Sequence, residues 1–182
     1  MKFSKIALAV VGMMVLGSAA QAADSGTITF NGLITAATCE VTNDASGSWT
    51  VTLPTVRVGD FAAAAGSTAG SSNFRIGVKN CAPASGTVRA HFQYEATQTD
   101  LSSGQLLLQT GSTATNVRLQ LFNVTAPTTI IRPGDAGSAN AFPIAADGTG
   151  EMIYGVQYIK PTTAAPTAGT VVSRVNYKLS YN

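Results

Sequence analysis

The stretch 169–182, GTVVSRVNYKLSYN, decides the fold. Gly169, Val171, Ser173, Val175, Tyr177, Leu179 and Tyr181 share one parity, so in an extended chain they project to one face and their neighbours to the other. A period of two with a largely apolar face predicts a half-buried strand, and the aromatic at the penultimate position carries that face to the last residues. A strand placed here has no following strand to pair with. At the opposite end GTITFNGLIT (26–35) also alternates, with Ile28, Phe30, Gly32 and Ile34 on one face. Strand-forming ends of this kind predict a chain that joins to its neighbours.

The first residues combine Lys2 and Lys5 with an apolar run from Ile6 to Leu16 and then GSAAQA, where Ala20 and Ala22 give the small-x-small cleavage pattern of a secretory signal. The reading is a leader over 1–22 and a mature chain starting at Ala23. The apolar run is shorter than the ~20 residues a membrane-spanning helix needs. Removing Lys2 and Lys5 from the eleven Lys and Arg leaves nine, against nine Asp and Glu, so the mature chain is formally neutral. No basic face for phosphate binding is available, which excludes a nucleic-acid partner. Near-zero charge also weakens the repulsion that keeps copies apart, so self-association is tolerated.

Cys39 and Cys81 are the chain's two cysteines. Export to an oxidising compartment predicts a disulfide between them, with two unpaired buried thiols as the alternative. Closing a loop of that length contributes on the order of 4 kcal/mol in the chain-entropy model. With no C-x-x-C pair and His91 as the single histidine, there are too few donors for a four-ligand zinc site, and no cofactor motif is present.

Between the ends the chain reads as short strands separated by turns: 37–42, 48–53, 73–79, 87–95, 104–110, 115–123, 128–133, 150–160 and 171–182, most of them rich in β-branched or aromatic residues. Residues 61–72, with AAAAGSTAGSS, read as a flexible surface loop, and 161–169 as a long connection between the last two strands. No segment has a sustained helical period. One antiparallel β-sandwich domain over the mature chain is the expectation.

Enzymatic readings find little support. In TVRAHFQYE, His91 shares a face with Arg89, Gln93 and Glu95, so it is expected to face solvent rather than serve a catalytic triad. There is no G-x-S-x-G, P-loop or dinucleotide fingerprint. Trp49 reads first as a core aromatic of an early strand and second as a sugar-stacking platform. Asn123-Val-Thr matches a glycosylation acceptor pattern.

The motifs G-T-I-T-F-N-G-L-I around Phe30 and Gly32, Cys39 with Cys81, T-N-V-R-L-Q-L at 115–121, Gly169 and the penultimate Tyr181 together resemble a type 1 fimbrial subunit of the chaperone-usher class. The resemblance covers the mature chain; its specific parts are the two ends and the cysteine spacing. The final Asn182, where many relatives end in Gln, is a departure outside the apolar face.

The resemblance implies an incomplete immunoglobulin-like sandwich that lacks its final strand and is completed by a donor strand from a neighbouring subunit. It places an N-terminal donor extension at 23–35, whose Ile28, Phe30, Gly32 and Ile34 would enter a neighbour's groove, before a pilin domain at 36–182. Gly32 matches the glycine of F-x-G-x-I, where the groove is shallow. The C-terminal strand with Gly169, Val171, Val175, Tyr177, Leu179 and Tyr181 would line the groove, and Tyr181 would sit at the chaperone-recognition position. Implied partners are identical subunits, other fimbrial subunits, a periplasmic chaperone and an outer-membrane usher, with export through the periplasm to a surface fimbria. A major structural subunit supporting adhesion is the first expectation. A minor adaptor or terminating subunit, or a monomeric secreted carbohydrate-binding β-sandwich, are the alternatives.

Overall fold

The computed structural model describes residues 38–43 and 46–182. The expected leader and donor extension, with Ile28, Phe30, Gly32 and Ile34, lie outside the described residues. The rest is all-β in two sheets. In chain order the strands are β1 (Thr38–Val41), β2 (Thr68–Ala82), β3 (Thr87–Phe92), β4 (Arg118–Asn123), β5 (Ala126–Ile131), β6 (Phe142–Pro143), β7 (Gly150–Ile159) and β8 (Tyr177–Tyr181), with one 3-10 turn at Val58–Asp60. One sheet runs β1-β2-β7-β4-β5 and the other β6-β3-β8. Every strand pairing is antiparallel.

Period-two alternation explains which side chains meet between the sheets. Ile76 and Val78 of β2, Met152, Tyr154 and Val156 of β7 and Leu119 and Leu121 of β4 face Val88, Ala90 and Phe92 of β3, all of them buried. Tyr154 lies at the centre with no exposed surface, ringed edge-on or tilted by Phe74, Phe92 and Phe142. Its hydroxyl accepts from the Ala90 amide (2.9 Å) and donates to the Asn140 carbonyl (2.9 Å). The β3–β6 register pairs Val88 with Phe142, so its continuation would set Ala90 opposite Asn140. Strand β6 is only two residues long, and the Tyr154 hydroxyl stands where the next rung of that ladder would be. It thereby ties β7 of one sheet to β3 of the other, and burial pushes its pKa up, keeping the donor proton in place.

Strand β4 is covered on both faces. On the side away from the core the Phe122 ring lies on Gly155 of β7, and the next rung is a Gln157–Gln120 side-chain hydrogen bond of 3.0 Å. Asn123 is 1% exposed. Its Nδ2 donates to the Ser138 carbonyl and its Oδ1 accepts from the Asn140 amide, both at 2.8 Å. The Asn123-Val-Thr pattern is therefore a buried structural clamp with no side chain presented for a glycan.

Several boundaries differ from the sequence reading. Thr68–Ser72, assigned to a flexible loop, belongs to β2 and pairs with β7 through a bulge at Gly70. Gly70 takes a positive φ of 51° there, and a Cβ would strike Val56, so the bulge makes room for the chain segment that crosses it. Residues 48–53 alternate as expected but join no ladder. The run 104–110 contributes only a bridge at Leu106, flanked by Thr99 and Leu119. Of 171–182, only Tyr177–Tyr181 is regular strand. His91, expected to face solvent, is half-buried with its Nε2 enclosed and unpartnered among the described residues. The turn at 134–136 folds along β3, through Gly134 N–H to the Phe92 carbonyl (2.8 Å) and Arg89 to the Ala136 carbonyl (3.5 Å), and that packing is what alternation alone could not reveal.

Two substitutions test this account. Tyr154→Phe leaves the Ala90 amide buried without a partner and is expected to cost about 1–3 kcal/mol in denaturant unfolding. Gly155→Ala drives a methyl into the Phe122 ring and is expected to cost about 1–3 kcal/mol by overpacking, seen as a lower Tm.

Candidate strand-acceptor groove

The hydrogen-bond parity of the last run defines the site. Thr87 and Asn182 exchange both backbone bonds (3.0 Å each) and the Gln93 amide donates to the Asn176 carbonyl (2.7 Å). In the β3–β8 register this gives the ladder bonds of the run to its even-numbered residues. The same parity continues above β8: the carbonyls of Thr170 and Val172 accept from the amides of Thr113, Ala114 and Gln109. One edge of the run is therefore occupied at Thr170, Val172 and Asn176 and through β8 to Asn182. The backbone N–H and C=O groups of Val171, Ser173, Val175, Tyr177 and Leu179 point to the other edge, and no described strand pairs with them.

The side chains tell the same story in a perpendicular direction. From Val171 to Leu179 the odd residues are half-buried and the even ones exposed. Val171, Val175, Tyr177, Leu179 and Tyr181 touch the core without being covered by it. Opposite them, Trp49, Val51 and Leu53 alternate with exposed Thr50, Thr52 and Pro54 and are likewise half-covered against the core. Two extended runs, each with an apolar face turned inward and a backbone edge without a ladder, are the two walls of a groove.

At one end the walls are fastened. Cys39 and Cys81 are disulfide-bonded, which anchors β1 on β2. The Tyr181 hydroxyl accepts from the Cys39 amide (3.1 Å), the Tyr177 hydroxyl donates to the Gly47 carbonyl (3.0 Å), and Trp49 meets Tyr177 edge-on at 5.6 Å. Burial raises the pKa of Tyr177, which keeps it a donor. At the other end the groove opens into a cavity of about 360 Å³ lined by Leu53, Val56, Phe61, Tyr158, Gly169 and Val171 among others. Gly169 is required here by space: a Cβ would lie 2.6 Å from Thr113 Oγ1 and 2.7 Å from the Thr113 carbonyl carbon.

The structure thus gathers Tyr177, Leu179, Tyr181 and Cys39 at the fastened end, Gly169 and Val171 at the cavity and Val175 between them. The sequence reading had not assigned Trp49, Val51 and Leu53 to the site. Their signal was the W-x-V-x-L alternation, which was legible as a strand but not as one wall of a gap. Trp49 is packed against Tyr177 and the core, so a sugar-stacking face is not what it presents. Among the described residues no cluster of His, Cys, Asp or Glu with metal-binding geometry occurs.

Comparison with known proteins places these features in a family. A family model described as fimbrial protein matches residues 28–182. The chain is 37% identical over 169 residues to the major fimbrial subunit SMF-1 of Stenotrophomonas maltophilia, spanning 90% of this chain and 96% of that protein. It is 36% identical over 170 residues to the F17 fimbrial protein of Escherichia coli, spanning 90% and 91%. Among solved structures, a chaperone-usher pilus chain superposes with a TM-score of 0.58 at 20% identity, covering 88% of this chain and 98% of that one. The P pilus rod subunit PapA superposes with a TM-score of 0.56 at 16% identity, covering 79% and 99%. The groove is thus set in an all-β, immunoglobulin-like fold shared with these pilus chains, and the protein belongs to the fimbrial protein family.

Proposed function

We propose that the protein is a major structural subunit of a bacterial surface fimbria that polymerises by donor-strand exchange and supports adhesion as part of the fibre. The observation that carries this reading is the unpaired backbone edge at 171–179 facing a second half-covered apolar wall. An exposed edge over an open core is an aggregation hazard unless a strand fills it. Strand addition supplies what is missing: backbone hydrogen bonds to the edge, and alternate side chains to cover the apolar face.

The donor is the 23–35 segment of the next subunit. Ile28, Phe30, Gly32 and Ile34 share the face that would enter the groove, and Gly32 sits where the groove is shallow. Before assembly a periplasmic chaperone covers the groove, with Tyr181 at its recognition position, and exchange takes place at an outer-membrane usher. Other fimbrial subunits join the same fibre by the same joint. The subunit performs no catalysis and needs no cofactor; the neutral mature chain favours close packing of many copies. The relative named as a major fimbrial subunit, matched over nearly its full length, supports the structural role.

Deleting 23–35 is expected to leave a folded subunit that accepts a strand and donates none. Electron microscopy of expressing cells should show no fibres, and fibres of normal length would overturn the donor assignment. In a peptide spanning 25–35, Gly32→Leu must place a side chain in a core packed at crystal-like density and is expected to weaken uptake by about 1–3 kcal/mol. Equal uptake of native and Gly32→Leu peptides would leave only a generic sticky strand. On the acceptor side, Gly169→Ala should displace the run from Thr113 and lower both thermal stability and peptide uptake, again by about 1–3 kcal/mol. Unchanged values would show that the close approach is not needed.

A further inference from the structure

The cavity end of the groove is bounded by two irregular segments. One contributes Val58 and Phe61, the other Pro166, Thr167, Ala168 and Gly169. Residues 62–66 and 162–165 are exposed, so their own apolar burial does not hold these segments. A charged side chain does. Lys160, at the end of β7, is only 3% exposed. Its Nζ donates to the carbonyls of Ala62 and Ala63 (2.7 Å each) and Thr163 (3.4 Å). Its backbone continues the β2–β7 ladder, accepting from Gly66 (2.8 Å) and donating to Ser67 (2.9 Å). Among the described residues no other side chain is hydrogen-bonded to both segments: Ser67 holds only the first, through the Ala62 amide (2.8 Å), and Asn116 and Thr115 only the second.

We propose that Lys160 is a positioning residue for strand uptake, its buried ammonium clasping the two segments that form the mouth of the cavity. An ammonium offers three donors and no acceptor, and here it meets three backbone carbonyls and no carboxylate, so it spends its charge on orienting loops. Ala62 follows Phe61 directly, and Thr163 lies three residues before Pro166. Fixing those carbonyls therefore fixes side chains that line the cavity. A mouth ordered in advance spares the incoming strand the cost of ordering it. This inference rests on the strand-acceptor reading and assigns it a residue that does not itself touch the strand.

The test uses the full mature chain, oxidised, diluted from denaturant into buffer containing a fluorescent 25–35 peptide, with uptake followed by anisotropy. Lys160→Met keeps the volume and removes the donors; uptake of the 25–35 peptide is expected to slow by at least about tenfold, the scale of lost hydrogen bonds to a charged group. Ser67→Ala, which loosens one segment and leaves the lysine, should slow it by a smaller factor and serves if Lys160→Met fails to fold. Gly155→Ala, which meets Phe122 on the outer face of the same β7 strand and touches neither clasped segment, is the stability control. Peptides 25–31 and 29–35 supply the readout that a general loss of stability would not move: the defect should vanish for whichever one no longer reaches the cavity and persist for the other. Equal slowing with all three peptides, or equal slowing by Gly155→Ala at matched Tm, would reduce Lys160 to a stability role and overturn the inference. Unchanged uptake in both Lys160→Met and Ser67→Ala would do the same. Failure of the unaltered chain to take up any peptide would instead overturn the acceptor reading itself, and the inference with it.

Discussion

The unpaired edge of the last run is the constraint from which the rest of the architecture follows. A backbone edge buried against apolar surface cannot be left without hydrogen bonds, because each orphaned group forfeits its water without gaining a partner. In this chain the even-numbered residues satisfy their edge through β3 and the 109–114 segment, and the odd-numbered ones are left for something outside the described residues. Because side chains alternate with the same period, the residues whose backbone is unsatisfied are also those whose apolar side chains are half-covered. A single strand beyond those described would account for both deficits at once.

A sandwich with an unpaired edge among its described residues has to be held together elsewhere, and the structure shows where. The β2–β7 pairing spans nearly the whole length of the larger sheet and survives a bulge. The disulfide closes the loop between β1 and β2, and the Tyr154 hydroxyl carries the ladder bond that the two-residue β6 is too short to make. The β2–β7 pairing and the Tyr154 bonds lie away from the open wall, and the disulfide sits at its fastened end. Folding of the frame and filling of the groove are accordingly separable events, which a subunit stored before assembly requires.

Much of this was legible in the sequence. The odd-even pattern of 169–181 defined both the apolar face and its neighbour-facing backbone, and the alternation in NFRIGVK, TVRAHF and EMIYGVQYI placed the core strands. Less legible was anything set by contacts distant in sequence. AAAAGSTAGSS has one β-branched residue, Thr68, and no large apolar one, yet its second half pairs with β7 because Gly70 absorbs the bulge. Trp49, Val51 and Leu53 read as strand residues, but whether a strand has neighbours is a property of the whole sheet. His91 has polar company on its own strand and is nonetheless half-buried, on a strand to which a turn more than forty residues away is bonded at Phe92 and Arg89. The clasp of Lys160 had no local signal at all, since a lysine at the end of a strand ordinarily lies in water.

The same alternation has a consequence for how the surface of such a chain is free to change. Arg174, Asn176, Lys178 and Ser180 point away from the core. The backbone of Lys178 and Ser180 pairs with β3 and that of Asn176 with Gln93, and all four side chains lie on the face opposite the groove's apolar one. The interlocking grammar is written in the odd positions and in the backbone, while the even positions carry the outward lettering. Substitutions there change the solvent-facing surface while leaving the apolar face and the backbone edge as they are, so sequence drift and mechanical continuity are assigned to opposite faces of a single strand.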